Sequence, residues 1–530
     1  MRPQLSAIAI GFCVLLWTGC ALVHRLGDYS ISDDPISPPI SEIQSEASGD
    51  GGQTAHCQTN RDCADGSICV ESSGACVTLA TPECPRIVGD PATDKGIVIG
   101  ALLGDGRGPL DDALEAAAFL AVEEIDSSHG AGGIPGADGA RRPLVVVACD
   151  ASGDVLRASR HLVEELRVPV IVGPTRGEDV IEITQRVSAK GGTLIMTPTS
   201  TVSEITKLAD NALTWRSIPS DDQRAKLVIE QINELETLLR ATRGLETVKL
   251  GIVHATDARG ASAYEAIRGK LIVNGRFIND AANEANVSVD AYESGHVTAL
   301  SGVAMRYATT FRPEIVFITA LEQIENFVRP LEQALAAARV VQLPYYVLTD
   351  ASKTDELLAA IRTSVLPADI RRRIRGVGTK PDTSSEPIFA EYSIAFASRY
   401  GSLPPTSVAT AAAASYDAFY AVAFAIAANG DRPLSGASVA EGLRALGVGE
   451  MAAVGATKAR VVTQQLASGT SVSLRGTFGP MQWDSSGDIS AGTVEVWCVG
   501  TKDGAPSFGS SGLMMDVRTQ VIGGAFVQCQ

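Results

Sequence analysis

The residues best suited to chemistry lie between positions 168 and 206, VPVIVGPTRGEDVIEITQRVSAKGGTLIMTPTSTVSEIT. Two loops there carry hydroxyls and charge: 173–178, with Thr175, Arg176, Gly177 and Glu178, and 197–201, with Thr197, Thr199, Ser200 and Thr201. A hydroxyl and a backbone N–H offered together where a helix begins suit an anionic ligand. The elements around the loops are short. An apolar, β-branched run over 168–172 stops at Gly173-Pro174, which cannot continue a central strand. Residues 178–189 carry apolar side chains at helical spacing, Gly191-Gly192 ends that helix, and 193–196 is the next buried strand. Both loops therefore leave the same ends of adjacent parallel strands, where an open α/β sheet binds ligands.

Other chemistries find little support. The six histidines (His24, His56, His129, His161, His254 and His296) are scattered, and none makes a metal pair at helical spacing. There is no G-x-S-x-G elbow and no Walker loop, and GDGRG lacks dinucleotide-binding spacing. No catalytic residue, metal or cofactor is expected, and the chain does not read as an enzyme. A formal net charge of −17 argues against nucleic acid as a partner, because phosphate binding needs a basic surface. Arg371-Arg372-Arg373 reads as a solvated helix end. Arg107, Arg176 and Arg259 can converge on an anion or pair with Asp105, Glu178 and Asp257 at the surface.

The N-terminus sets the compartment. Arg2 precedes an apolar stretch over 5–17 that is too short to span a bilayer. The following Thr18-Gly19-Cys20 resembles the lipobox of bacterial lipoproteins, with Trp17 where an aliphatic residue is usual. Residues 1–20 are thus a signal peptide and Cys20 the lipidation site; the alternative is an ordinary secretory signal with an incidental cysteine. Ala21 favours the outer membrane, so the expected location is its periplasmic face or the cell surface. Residues 21–56, rich in Ser, Pro, Asp, Glu and Gly, form a disordered tether with a reach of roughly 30–35 Å.

Residues 57–84 form a cysteine-rich module. Cys57, Cys63, Cys69 and Cys76 lie too close together in sequence to build a core and suit disulfides in an oxidising compartment better than zinc. Of three connectivities the interleaved Cys57–Cys69 and Cys63–Cys76 is favoured. Its expected role is spacing, or contact with another surface protein. Cys498 and Cys529 can staple the C-terminal segment, which leaves Cys84 and Cys149 by elimination.

From residue 96 strands and helices alternate: strands over 97–103 and 143–148, helices over 110–125 and 152–166, then the segment described above. This order gives a parallel, doubly wound sheet. Residues 215–221, WRSIPSD, read as a crossover and not as a core strand. A second αβ series follows over 223–348, a mostly helical stretch over 352–475 contains a strand-like 374–379, and 476–499 reads as a β-hairpin turning at 485–488.

Taken in order, residues 95–500 resemble the type I periplasmic binding proteins, in particular the leucine/isoleucine/valine receptor group of ABC-transporter substrate-binding proteins. The resemblance is carried by IVIGALLGDGRG, GGIPG with RPLVVVACD, VIVGPTRG, LIMTPTSTVSEIT, WRSIPSDDQ, ASYDAFYAVAFAIAA and GPMQWDSSGD. It implies an α/β fold of two doubly wound lobes joined by a three-segment hinge, with 95–217 plus 352–475 as lobe 1 and 222–348 plus 476–530 as lobe 2. It also implies a ligand between the lobes, whose closure reports occupancy to an ABC transporter or a sensor.

The family's ligand positions fall on Thr175, Arg176, Gly177, Ser200, Thr201, Arg259 and Asp350. Ser200 and Thr201 match the loop that holds the ligand's carboxylate and amine, and Asp350 the carboxylate that holds the amine. Gly177 stands where a serine is usual and Arg259 nearest a usual tyrosine. Arg176 stands where some amino-acid receptors have a cysteine, so no bridge from there to Cys149 is possible. Alternative roles remain: Thr201-Val202-Ser203-Glu204 is a capping-box sequence, and Asp350 can cap the helix that contains Leu357. The implied function is a lipid-anchored solute-binding protein that captures an amino acid or carboxylate for an ABC importer. The alternative is a receptor-like surface lipoprotein that senses a ligand or docks another protein.

Overall fold

The computed structural model describes residues 56–104, 108–136, 138–319, 324–403 and 406–530. The signal peptide, Cys20, nearly all of the tether and Arg107 lie outside the described residues.

Apolar, β-branched runs such as Leu144–Cys149 and Ile315–Ile318 are buried along their whole length, as parallel strands covered on both faces must be. They build two α/β sheets. The first has six strands, ordered Thr214–Arg216, Leu194–Thr197, Val170–Val172, Ile97–Leu102, Leu144–Cys149 and Arg86–Val88, and only the last pair is antiparallel. The second has eight. Val287–Tyr292, Leu250–Ala255, Ile315–Ile318, Tyr345–Thr349 and Ile374–Lys380 are parallel, and Thr493–Lys502, Ala505–Asp516 and Ile522–Gly523 run antiparallel beyond them. After Ile374–Lys380 the chain returns to lay four helices on one face of the first sheet: Glu386–Tyr400, Thr406–Asn429, Gly436–Ala445 and Ala456–Ala467. It then crosses a third time through residues 476–492.

Several expectations need correction. Ile374–Lys380 belongs to the second sheet, with Val347 beside Arg375 and Cys498 opposite it, and Asp355–Arg362 packs on that sheet too. Lobe 1 therefore resumes only after residue 380. Thr214–Arg216 is an edge strand, because Trp215 fills the core of the first sheet and its backbone pairs with Met196. The segment 476–499 is a hairpin only around its turn at 485–488, where Trp483 and Ile489 form a lone antiparallel bridge; Thr493–Lys502 pairs instead with Ala505–Asp516. The side chains of 483–488 turn instead to strand Thr214–Arg216: Trp483 Nε1 donates to Arg216 O at 2.7 Å, and Asp488 pairs with Arg216. Arg373 is not solvated; it is buried on Glu332 at 2.7 Å, whose carboxylate also accepts from Tyr346 at 2.6 Å.

The cysteine-rich segment is not a separate spacer. Its cysteines pair as Cys57–Cys69 and Cys63–Cys76, around the antiparallel strands Ser67–Val70 and Ala75–Thr78. Ile68, Val70 and Leu79 are buried in the same core as Val145, Val147 and Leu162 of the first lobe. His161 Nε2 donates to Leu79 O at 2.9 Å, and Arg167 Nη1 to Ser72 Oγ at 2.8 Å. Cys84–Cys149 ties the segment to the sheet just before Arg86–Val88 joins it, and Cys498–Cys529 fastens the C-terminus to the second sheet. The segment reaches its core by borrowing the lobe's. Leu79→Ala is accordingly expected to lower the stability of the whole lobe by about 2–5 kcal/mol in denaturant titration, with one transition. Loss of the 56–84 segment alone at lower denaturant would contradict this.

Candidate functional site

The loops 173–176 and 198–202 lie side by side at the carboxyl ends of strands Val170–Val172 and Leu194–Thr197. Thr197 Oγ1 donates to Pro174 O at 2.6 Å and Thr199 Oγ1 to Thr175 O at 3.4 Å, which ties one loop to the other. Two hydroxyls are left over. Thr175 Oγ1 and Ser200 Oγ are buried and have no hydrogen-bond partner. A buried polar group in that state costs about 1–3 kcal/mol.

The other expected residues divide. Arg176 is spent at the rim, with Nη2 2.6 Å from Glu178 Oε1 and Nε 3.7 Å from Asp179 Oδ2. Gly177 opens helix Gly177–Ile183, and a Cβ there would stand 2.3 Å from Val202 Cγ2 and 3.1 Å from Ser200 Oγ. Val202 thus occupies the space that a serine side chain needs. Arg259 lies half-buried in the first turn of Ala258–Arg268, the second-lobe helix that packs on Gly177–Ile183 and Ser203–Lys207 of the first. The structure brings Thr175, Gly177, Ser200 and Thr201 together in one lobe and Asp350 into a separate cluster in the other.

Thr201 does not cap a helix; the 3-10 turn Ser203–Lys207 follows Val202, which makes no side-chain cap. Thr201 O instead accepts from Asp221 N at 2.8 Å. Asp221 Oδ2 accepts from Ser262 Oγ at 2.7 Å, and Ser262 Oγ in turn accepts from Ser203 N at 2.9 Å. One serine on Ala258–Arg268 thereby joins a first-lobe loop to the start of Asp221–Arg243, the helix that leaves the first crossover. Burial pushes the Asp221 carboxyl up to about 6 and Asp350 adds to the rise, while the Arg224 charge and the Ser262 and Thr201 hydroxyls oppose it.

Asp350 does not cap the next helix either; Thr354 caps Asp355–Arg362. Asp350 Oδ2 lies 2.7 Å from Arg224 Nη1, and Arg224 Nη2 donates to Thr379 Oγ1 at 2.9 Å. Arg224 also lines, with Asp221, Phe317, Thr349 and Val377, a cavity of about 20 Å³, room for about one water. Sequence reasoning missed Arg224, Asp221 and Ser262. The available signal was an acid and a base three residues apart, at the head of an otherwise apolar helix face directly after a crossover.

The hinge has its own buried charges. Arg216 Nε lies 2.6 Å from Asp488 Oδ1, with both side chains almost wholly out of solvent, and Arg216 Nη1 donates to Ser200 O and Val202 O at 3.4 and 3.1 Å. Asp417 accepts from Thr477 N and Thr477 Oγ1 at 2.7–3.0 Å where the third crossover begins. Among the described residues, the one group of metal-ligand side chains close enough to share an ion is Cys57, Cys63 and Cys76, and all three are in disulfides.

No family model matches the chain, and no curated protein matches it in sequence. Solved structures do match. A leucine-binding protein from Thermotoga maritima superposes with a TM-score of 0.53 at 15% identity, covering 78% of this chain and 97% of its own. An ABC-transporter substrate-binding protein from Desulfitobacterium hafniense, in complex with leucine, gives 0.52 at 20% identity, covering 78% and 99%. A solute-binding protein of an ABC transporter from Rhodopseudomonas palustris, in complex with 3,4-dihydroxybenzoic acid, gives 0.55 at 13% identity, covering 82% and 98%. The fold is that of the type I periplasmic binding proteins. Thr175 and Ser200 lie in the first lobe, and Ala258–Arg268 with Asp350 in the second.

Two outcomes follow from this geometry. Gly177→Ser is expected to cost about 1–3 kcal/mol by overpacking, and pairing it with Val202→Ala should recover most of the loss in thermal melts; no recovery would refute the Val202 clash. Asp417 supplies a pH signature. Burial pushes its carboxyl up to about 7, against the Thr477 and Phe478 donors. In the unfolded chain it titrates near ~3.9, so the folded protein binds the extra proton. The resulting stabilisation is complete below that value and is lost as pH rises through about 7. Asp417→Asn should therefore lose less stability than the parent between pH ~4 and ~8 in denaturant titrations, and equal losses would rule this out.

Proposed function

We propose that the chain is an exported, non-enzymatic solute-binding protein, lipid-anchored through Cys20, that captures a small organic ligand in the interlobe cleft for an ABC importer. One observation carries this reading: two buried hydroxyls without partners, Thr175 Oγ1 and Ser200 Oγ, at the carboxyl ends of adjacent parallel strands. A ligand carboxylate accepts from both and removes the cost of leaving them unpaired. The bound molecules of the similar proteins support the ligand class, since leucine and 3,4-dihydroxybenzoic acid both carry a carboxylate. An amino acid or carboxylate-like molecule is the expected cargo. The anchor would hold the protein on the periplasmic face of the outer membrane or on the cell surface, with an ABC permease or a sensor as its partner.

A second reading is favoured by the small cavity beside Arg224, which holds about one water, and by the direct Ser203–Ser262–Asp221 link between the lobes. A receptor-like surface lipoprotein that docks another protein needs no larger space.

Calorimetry of the folded chain against panels of amino acids and organic acids tests the first reading. Binding at micromolar to millimolar concentration is expected, and a flat titration with an intact fold would end it. Deleting residues 23–55 tests the second, because this leaves the core-forming cysteine segment in place. Unchanged uptake and unchanged recovery of the partner would argue against docking through that stretch.

A further inference from the structure

The acids around the cleft are already bound by the chain. Glu178 and Asp179 face Arg176, with Nη2 2.6 Å from Glu178 and Nε 3.7 Å from Asp179. Asp221 takes the Ser262 hydroxyl at 2.7 Å. Asp350 takes Arg224 at 2.7 Å, and behind it Glu495 lies 3.4 Å from Lys353. Buried atoms without a hydrogen bond include the Thr175 and Ser200 hydroxyls, Arg224 Nε and, among the acids, Glu495 Oε2. A hydroxyl serves either sign of ligand, so the choice falls to the charged groups. Each of these acids has a cation or a hydroxyl of the chain beside it, and Arg224 keeps one buried donor.

Arg224 cannot yield its place easily. Its side chain is only 6% exposed against 31% for Asp350, and Thr379 holds its second terminal nitrogen at 2.9 Å. An ammonium ligand that claimed Asp350 would leave this guanidinium buried and without a counter-charge, a state far costlier than the intact pair. A carboxylate meets no such obstacle and adds an acceptor for Nε.

We propose that Arg224 sets the charge selectivity of the cleft: by filling the Asp350 carboxylate from within the chain, it makes the site take an organic carboxylate that carries no ammonium. The inference rests on the solute-binding reading above and narrows its ligand class. It also replaces Arg176 and Arg259 with a residue of the crossover helix as the cation that matters.

The test uses probes that share a skeleton and differ only in charge. One set is 4-methylpentanoate, leucine and 3-methylbutylamine; the other is 3-phenylpropionate, phenylalanine and 2-phenylethylamine. Calorimetry of the intact folded chain is expected to show, in at least one set, the carboxylate binding about tenfold or more tighter than the amino acid, with the amine weakest. Arg224→Gln, which keeps the bulk and removes the charge, should weaken the carboxylate and strengthen the amino acid and the amine, each by about tenfold. Asp350→Asn, read in parallel in case Arg224→Gln does not fold, frees the guanidinium and should tighten the carboxylate.

A parent chain that binds the amino acid as tightly as the carboxylate overturns the proposal while leaving solute binding intact. So does a preference that neither variant shifts. A parent chain that binds none of the probes at millimolar concentration, with an intact fold, overturns this inference and the solute-binding reading together.

Discussion

One helix start joins the two lobes. Asp221 and Arg224 lie three residues apart in the first turn of Asp221–Arg243, where the chain has just left the first lobe. Asp221 faces back, meeting Thr201 through its N–H and Ser262 through its carboxylate. Arg224 faces forward, meeting Asp350 and Thr379 at the ends of two second-lobe strands. Both side chains are buried, and buried charges are tolerated only when paired and hydrogen-bonded. The helix is therefore committed in position by its own buried pairs.

The first wall depends on a second buried charge. Arg216 donates to the carbonyls of Ser200 and Val202 from the edge of the first sheet, and its own counter-charge, Asp488, comes from the third crossover. The loop that offers Ser200 is thus pinned by a residue 16 positions along the chain, and that residue is balanced by one far beyond it. Asp417 fastens the same crossover at its start.

Much of the architecture was legible because parallel strands buried on both faces leave continuous apolar runs, as in Leu144–Cys149 and Ile315–Ile318, and because Gly-Pro and Gly-Gly stop them. What misled was context. Ile374–Lys380 contains two glycines and two cations and so looked peripheral, yet Gly376 and Gly378 make room for Trp497, and Arg375 is neutralised by Glu234. Trp215-Arg216 looked like linker because a charge followed the aromatic, and the acid that permits its burial lies in another part of the sequence. The cysteine segment looked autonomous because its spacing announces disulfides, whereas Leu79, which anchors it, is an ordinary leucine. The placement of Thr175, Ser200 and Thr201 after strand ends could be read from the sequence; the Arg224–Asp350 pair could not, because its members lie far apart in sequence.

The departures at the cleft are connected. Gly177 is small because Val202 fills the space above it, and Val202 stands there because Arg216 holds its carbonyl. A serine at 177 and a free acid at 350 would together present a hydroxyl and a negative charge to a ligand's ammonium. This chain lacks the first for steric reasons and has neutralised the second with Arg224. Two independent packing constraints, one in each lobe, thus remove a hydroxyl and a free negative charge, while the hydroxyls of Thr175 and Ser200 remain without hydrogen-bond partners.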